Sequence, residues 1–224
     1  MADRSEVSTA ELRRARGVAT PSWEATRRSL LTRLKDLGDD QGWQRFSDTY
    51  GGVIHGLAQK AGCSPTEADE VLQETLISVA KEMPGFRYDP ARGSFKSWLF
   101  CIVRRRIADQ FRRRARQERN LVEAAFELGE LPDPAGDPLT PIWDDEWRQL
   151  QLQRAIEGVK QKVAPCQWQM FDLATLQEWP TERICALLAV NRAQLYMAKM
   201  RVGRLLKAEL IAVVAAEAEG PAGG

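Results

Sequence analysis

Four prolines crowd the stretch Leu131–Pro141, Leu-Pro-Asp-Pro-Ala-Gly-Asp-Pro-Leu-Thr-Pro. Proline has no amide donor and a fixed φ, so such a stretch opposes helix and sheet alike. It also lies in an acidic run, because residues 120–146 carry eight acids and no base. On both sides the charge reverses. Residues 96–119 hold nine Lys or Arg against two acids, and residues 181–207 hold six bases against one acid. A formal net charge of +1 conceals this segregation. An acidic, helix-breaking connector between two basic blocks predicts two folded parts. The predicted organisation is a flexible head over 1–21, a first domain over 22–117, a linker over 118–142, a second domain over 143–212 and a disordered tail over 213–224.

Several classes are disfavoured at once. No apolar run approaches the roughly 20 residues that a membrane helix needs. The first twenty residues alternate acids, Arg and Ala, unlike a secretory signal, so a cytoplasmic protein is expected. The four Cys at 63, 101, 166 and 185 form no CxxC pair, and His55 is the one histidine. That inventory argues against a zinc cluster and against His-dependent catalysis, and for reduced, buried thiols.

The apolar spacing is helical throughout, so an all-α protein of two small helical domains joined by a flexible linker is expected. Trp23, Leu30, Leu31, Leu34 and Leu37 make one stripe; Trp43, Phe46, Tyr50, Ile54 and Leu57 make a second, interrupted by Gly51-Gly52. Ser64-Pro65-Thr66-Glu67 is a capping box opening a third helix, whose apolar face is Ala68, Leu72, Thr75, Leu76 and Val79. Met83-Pro84-Gly85 stops it. A fourth helix starts near Ser94 and carries Phe95, Trp98, Leu99, Ile102, Val103, Ile107 and Phe111 inward. Trp143, Trp147, Trp168 and Trp179 are expected as core around the second domain.

The second half of the fourth helix holds seven Arg and no Lys: Arg104, Arg105, Arg106, Arg112, Arg113, Arg114 and Arg116. A solvated face that aids solubility is the plainer account. The planar guanidinium fork favours bidentate phosphate contact, so nucleic-acid binding with counterion release is the stronger one. The preceding loop, Phe86 to Ser94, mixes Arg87, Tyr88 and Arg92 with Pro and Gly, a composition able to stack on an unpaired base.

Trp179 to Tyr196 has the pattern of a helix-turn-helix. Ile184, Leu187 and Leu188 point inward from a short helix, Ala189-Val190 turns, and Asn191 caps a second helix. Leu195, Ala198, Val202, Leu205 and Leu206 form its buried stripe, leaving Arg192, Gln194, Lys199, Arg201 and Arg204 on other faces. Polar and basic groups on such a helix suit the major groove, although ordinary helical hairpins look similar.

Taken together, Ala68 to Val79, the Phe86–Asp89-Pro90–Gly93-Ser94-Phe95–Trp98-Leu99 pattern and Ile107 to Arg113 resemble region 2 of the extracytoplasmic-function group of bacterial sigma factors, in the sigma-70 family. The helix-turn-helix, with Tyr196, Lys199, Arg201 and Val202, resembles their region 4. The resemblance covers about 22–117 and 147–210. It implies a factor that binds core RNA polymerase at the clamp of the largest subunit and the flap of the second-largest. It implies recognition of −35 and −10 promoter DNA and opening of the −10 duplex. It also implies no catalytic site, cofactor or metal of its own, and an anti-sigma protein as the partner that commonly inhibits such factors.

The residues carried over are Glu70, Gln73, Glu74 and Lys81 for polymerase binding. For −10 DNA they are Arg87, Tyr88, Arg92, Ser94, Arg104, Arg105, Arg106, Arg112 and Arg113. For −35 DNA they are Asn191, Arg192, Gln194, Tyr196, Lys199, Arg201 and Arg204. Three positions depart from the family pattern: Glu70 stands where Asp is usual, Arg105 where Asn is frequent, and Ala189 near a usual glycine. The alternative is a stand-alone helix-turn-helix regulator, which would be expected to carry a ligand pocket or dimer interface in its first domain. A metal-dependent nuclease would need clustered acids, and Asp69, Glu70 and Glu74 are the one tight group.

Overall fold

The computed structural model describes residues 30–85, 94–119 and 136–218. Among them the chain is all helix, with no strand. The elements are α1 (Asp40–Lys60), α2 (Pro65–Glu82), α3 (Phe95–Arg119), α4 (Thr140–Lys160), α5 (Pro165–Phe171), α6 (Thr181–Leu188) and α7 (Arg192–Ala218). A short turn, Met83–Gly85, follows α2, and a π-helical turn, Asp172–Leu176, follows α5. No helix among the described residues is long and apolar enough to cross a membrane.

Local chemistry explains the helix ends. Asp39 caps α1, accepting from the Gly42 amide at 3.0 Å while ion-paired to Arg33. Ser64 and Glu67 form the expected capping box of α2, with the Ser64 amide donating to Glu67 Oε2 at 2.7 Å. Ser94 accepts from the Ser97 amide at 3.2 Å at the start of α3. The first apolar stripe is only partly as expected. Leu30, Leu31 and Leu34 are buried, but the helical residues end at 33 and Leu37 is exposed in the following turn. Trp23 lies outside the described residues. The Gly51-Gly52 pair does not break α1; Gly51 is buried against Leu72.

One large core joins α1, α2, α3 and the first half of α4. Phe46, Tyr50, Ile54 and Leu57 meet Val71 and Val79, Phe95, Leu99, Val103 and Ile107, and then Trp143, Trp147 and Leu150. Tyr50 stacks on Trp147 at 5.7 Å between ring centroids, and Phe100 on Trp143 at 5.6 Å. These two tryptophans, expected around the second domain, thus pack against helices of the first. The reason is the phase of α4. Trp143, Trp147 and Leu150 share one stripe, whereas the buried Ala155 and Val159 are centred more than a third of a turn around the axis from it. The first stripe faces α1 and α3. From the second, Val159 meets Val163, Phe171 and Val202, so α4 belongs to two cores. A third cluster, Met170, Leu173, Ile184, Leu195 and Ala198, holds α6 and α7 together.

The seam between α4 and the first three helices is also electrostatic. Asp144 pairs with Lys96 at 2.6 Å, and Glu146 with Lys60 at 2.7 Å. Gly56 of α1 leaves the space that Glu146 occupies, since a Cβ there would lie 2.6 Å from its carboxylate. At the far end, Glu209 of α7 is buried and pairs with Lys162.

Candidate nucleic-acid interface

The outward side of α2 carries Glu70, Gln73, Ile77 and Lys81, all exposed, with Glu74 half-buried between them. They recur at steps of three and four, hence on one face. The face leans on α3: Gln110 donates to Glu70 Oε2 at 2.8 Å, and Arg113 pairs with Glu74 at 2.6 Å. Ile77, 53% exposed at the centre of this polar stripe, was not among the sequence candidates. Its phase, four residues after Gln73, is the signal that was available. His55 of α1 lies 3.4 Å from Asp69 at the edge of α2, a structural position.

The arginine row of α3 divides into an inward and an outward set. Arg104, expected on the DNA-facing surface, is 7% exposed, and its Nη1 donates to Asp137 Oδ2 at 2.8 Å. It follows Phe100 by one helical turn, on the flank that α4 and its lead-in segment cover. Asp137 also accepts from the Leu139 amide at 2.8 Å, so the last part of the expected linker is anchored to α3. Residues 120–135 lie outside the described residues. Arg105, Arg113 and Arg116 are exposed; Arg106 and Arg112 are half-buried and both pair with Asp109. Arg114 reaches back to Glu67, donating from Nε at 2.9 Å. The guanidinium of Arg114, followed by the Ser64 amide, holds the Glu67 carboxyl down at about 2. Of the loop candidates, Ser94 sits at the mouth of α3, while Arg87, Tyr88 and Arg92 lie outside the described residues.

α6 and α7 form the expected helix-turn-helix. Ala189 ends α6 in the left-handed region, at φ 51° and ψ 42°, the conformation usually given to glycine. Asn191 and Gln194 cap α7 reciprocally: the Gln194 amide donates to Asn191 Oδ1 at 2.8 Å, and the Asn191 amide to Gln194 Oε1 at 2.9 Å. Arg192 pairs with Glu182 at 2.8 Å. Both side-chain oxygens of the expected −35 pair Asn191 and Gln194 therefore serve the cap. Tyr196, Lys199, Arg201 and Arg204 are exposed.

Leu187 is a correction. It was expected inward, but it is 59% exposed. The face of α6 packed against the third cluster is Ile184, Cys185 and Leu188, and Leu187 falls off its edge. Met197 and Met200, 65% and 57% exposed, are further outward residues that the sequence reading passed over.

Residues 46–117 match the family Sigma-70 region 2, a span covering most of α1, all of α2 and nearly all of α3. The extracytoplasmic-function RNA polymerase sigma factor SigK of Mycolicibacterium vanbaalenii is 25% identical over 166 residues, 74% of this chain and 79% of that protein. The corresponding factor RpoE of Cereibacter sphaeroides is 25% identical over 85 residues, 38% of this chain. The chain spans 46% of that relative's length. The structure of CnrH in complex with the cytosolic domain of CnrY aligns with 85% of this chain and 97% of that one, at 20% identity and a TM-score of 0.32. Residues 46–117 thus form a sigma-70 region 2, and over three-quarters of its length the chain is similar to a sigma factor of the extracytoplasmic-function group.

Proposed function

We propose that this chain is a transcription initiation factor that binds core RNA polymerase, reads −35 and −10 promoter elements and promotes melting of the −10 duplex. The carrying observation is the joint placement of two surfaces on the region 2 match. α2 offers a mixed stripe, and α3 offers exposed arginines beside it. In this reading Glu70, Gln73, Glu74, Ile77 and Lys81 dock on the polymerase clamp, an amphipathic helix face against a helical partner. Arg105, Arg106, Arg112, Arg113 and Arg116 hold −10 DNA by its phosphates, and the loop from Arg87 to Ser94 takes a flipped base. Flipping costs a few kcal/mol of unstacking, which stacking and basic contacts offset. Arg104 has no part in this, because its guanidinium is buried on Asp137.

α7 enters the major groove of the −35 element in the same reading, with Lys199 and Arg201 as its basic margins and Arg204 further along the same exposed face. The factor performs no chemistry itself; the polymerase does. It works in the cytoplasm, and an anti-sigma protein that covers the α2 stripe would silence it.

The test is transcription in vitro. The protein is mixed with bacterial core polymerase and a genomic fragment library, and RNA 5′ ends are mapped. Discrete starts that share two upstream elements and vanish without the protein are expected. Absence of binding to core polymerase would overturn the reading.

A further inference from the structure

The exposed face of α7 has an apolar centre and basic edges. At about 100° per residue, Ala193, Tyr196, Met197 and Met200 fall within an arc of about 100°, opposite the buried Leu195, Ala198 and Val202. Tyr196, Met197 and Met200 are each more than half exposed. Lys199 flanks the arc on one side and Arg201 on the other, and residues 191–208 contain no acid. Three large apolar side chains in one exposed patch are costly in water unless a partner covers them.

We infer that this arc reads thymine: Met197, Met200 and Tyr196 contact the C5-methyl groups of T·A pairs in the −35 element. The inference rests on the reading that α7 enters the major groove. Charge selects the occupant. The groove is about 12 Å wide, its walls are phosphates, and a helix with basic margins and no acid fits between them. Two polar side chains of the first turn suited to amide or guanidinium readout are engaged within the motif. Gln194 gives its oxygen to the Asn191 amide, and Arg192 is paired with Glu182. From Ala193 to Met200 what the arc offers a base edge is thus apolar, with Arg204 following one turn after Met200, and the apolar group in the major groove is the thymine methyl. Methionine's flexible, polarisable thioether adapts to such a contact.

The experiment uses the full chain with core polymerase and duplexes that the holoenzyme selects from a random pool. Each thymine in the upstream element is then replaced by deoxyuridine, which removes the methyl and keeps every hydrogen-bonding group. The expected result is a loss of affinity of about fourfold at one or more positions, the factor to which about 0.8 kcal/mol per buried methyl-sized group converts. Met197→Ala combined with Met200→Ala should bind core polymerase as the parent does and no longer distinguish thymine from uracil.

Equal affinity for every thymine and uracil duplex in the parent protein overturns the inference while leaving promoter selection intact. Loss of core binding in the double variant also overturns it, because the arc would then face a polymerase surface. Failure of the holoenzyme to select any sequence removes the proposed function itself, and the inference with it. Both methionines are exposed and alanine favours helix, so the variant retains its fold.

Discussion

Arg104 of α3 donates from Nη1 to Asp137 Oδ2 at 2.8 Å, and both side chains are 8% exposed. Thirty-three positions apart in the chain, the two residues tie the segment leading into α4 to the start of the arginine row. One arginine of that row is thereby structural, while Arg105, Arg113 and Arg116 are exposed.

Asp137→Ala removes the carboxylate partner of a buried guanidinium. Breaking a buried pair by removing one partner costs about 3–5 kcal/mol. A fall of that size in unfolding free energy, read from urea titration, is expected. Replacing both partners, Arg104→Met with Asp137→Leu, should recover most of it. A single-variant loss under about 1 kcal/mol would show the pair to be solvated, as exposed pairs are.

Trp147 is 1% exposed and stacks on Tyr50. Trp147→Ala should destabilise the protein by about 3–5 kcal/mol, the usual range for emptying an aromatic core site. Because that site belongs to the first core, a fragment over residues 30–117 should melt below the full chain and bind a hydrophobic dye. Equal melting of fragment and full chain would contradict the shared core.

Ala189 holds a left-handed conformation at φ 51°. For a residue with a Cβ this costs about 1–2 kcal/mol, against about 0.5–1 kcal/mol of extra chain entropy for glycine. Ala189→Gly is therefore expected to stabilise the helix-turn-helix by about 0.5–1 kcal/mol, measured by thermal unfolding. A lower midpoint would count against this turn geometry.

Two carboxyls sit well below their ordinary range. Arg33 holds Asp39 at about 2, with help from the Gly42 amide, and Arg114 holds Glu67 at about 2. Their folded values lie below those of the unfolded chain. The stability they contribute is thus present at neutral pH and is lost as pH falls from about 4.5 toward 2. Glu67→Gln should flatten the acid limb of stability against pH in that window. An unchanged limb would remove Glu67 from the account.

Ile77 tests the polymerase-binding reading with little disturbance to the fold, since it is exposed and none of the pairs between α2 and α3 uses it. Ile77→Glu should weaken core polymerase binding by tenfold or more, about 1.4 kcal/mol at a central contact. Gln73→Lys with Glu74→Lys should act in the same direction, but it also breaks the Glu74–Arg113 pair. Unchanged core affinity in Ile77→Glu would refute the docking face.

Much of the architecture was legible in the chain. The Ser64–Glu67 capping box, the Asn191 cap and the stripes on α1, α2 and α3 depend on residues a few positions apart, where helix geometry alone dictates contact. Leu37 and Leu187 were misplaced for the same kind of reason. Each has the right spacing for an inward stripe, but spacing does not say where a helix stops or which edge of a two-turn helix its neighbour covers.

The sequence by itself determined the helical class, the charge segregation and the resemblance to a known family, because these reside in composition, period and motif. Tertiary structure decided the rest of the site. Arg104, Arg105 and Arg106 point about 100° apart around one helix, and their residue type is identical. Only the arrival of Asp137 and of α4, with Trp143 and Trp147 beneath it, buries the first and leaves the second in water. Contacts across thirty or more residues depend on how helices pack, and no local period encodes that.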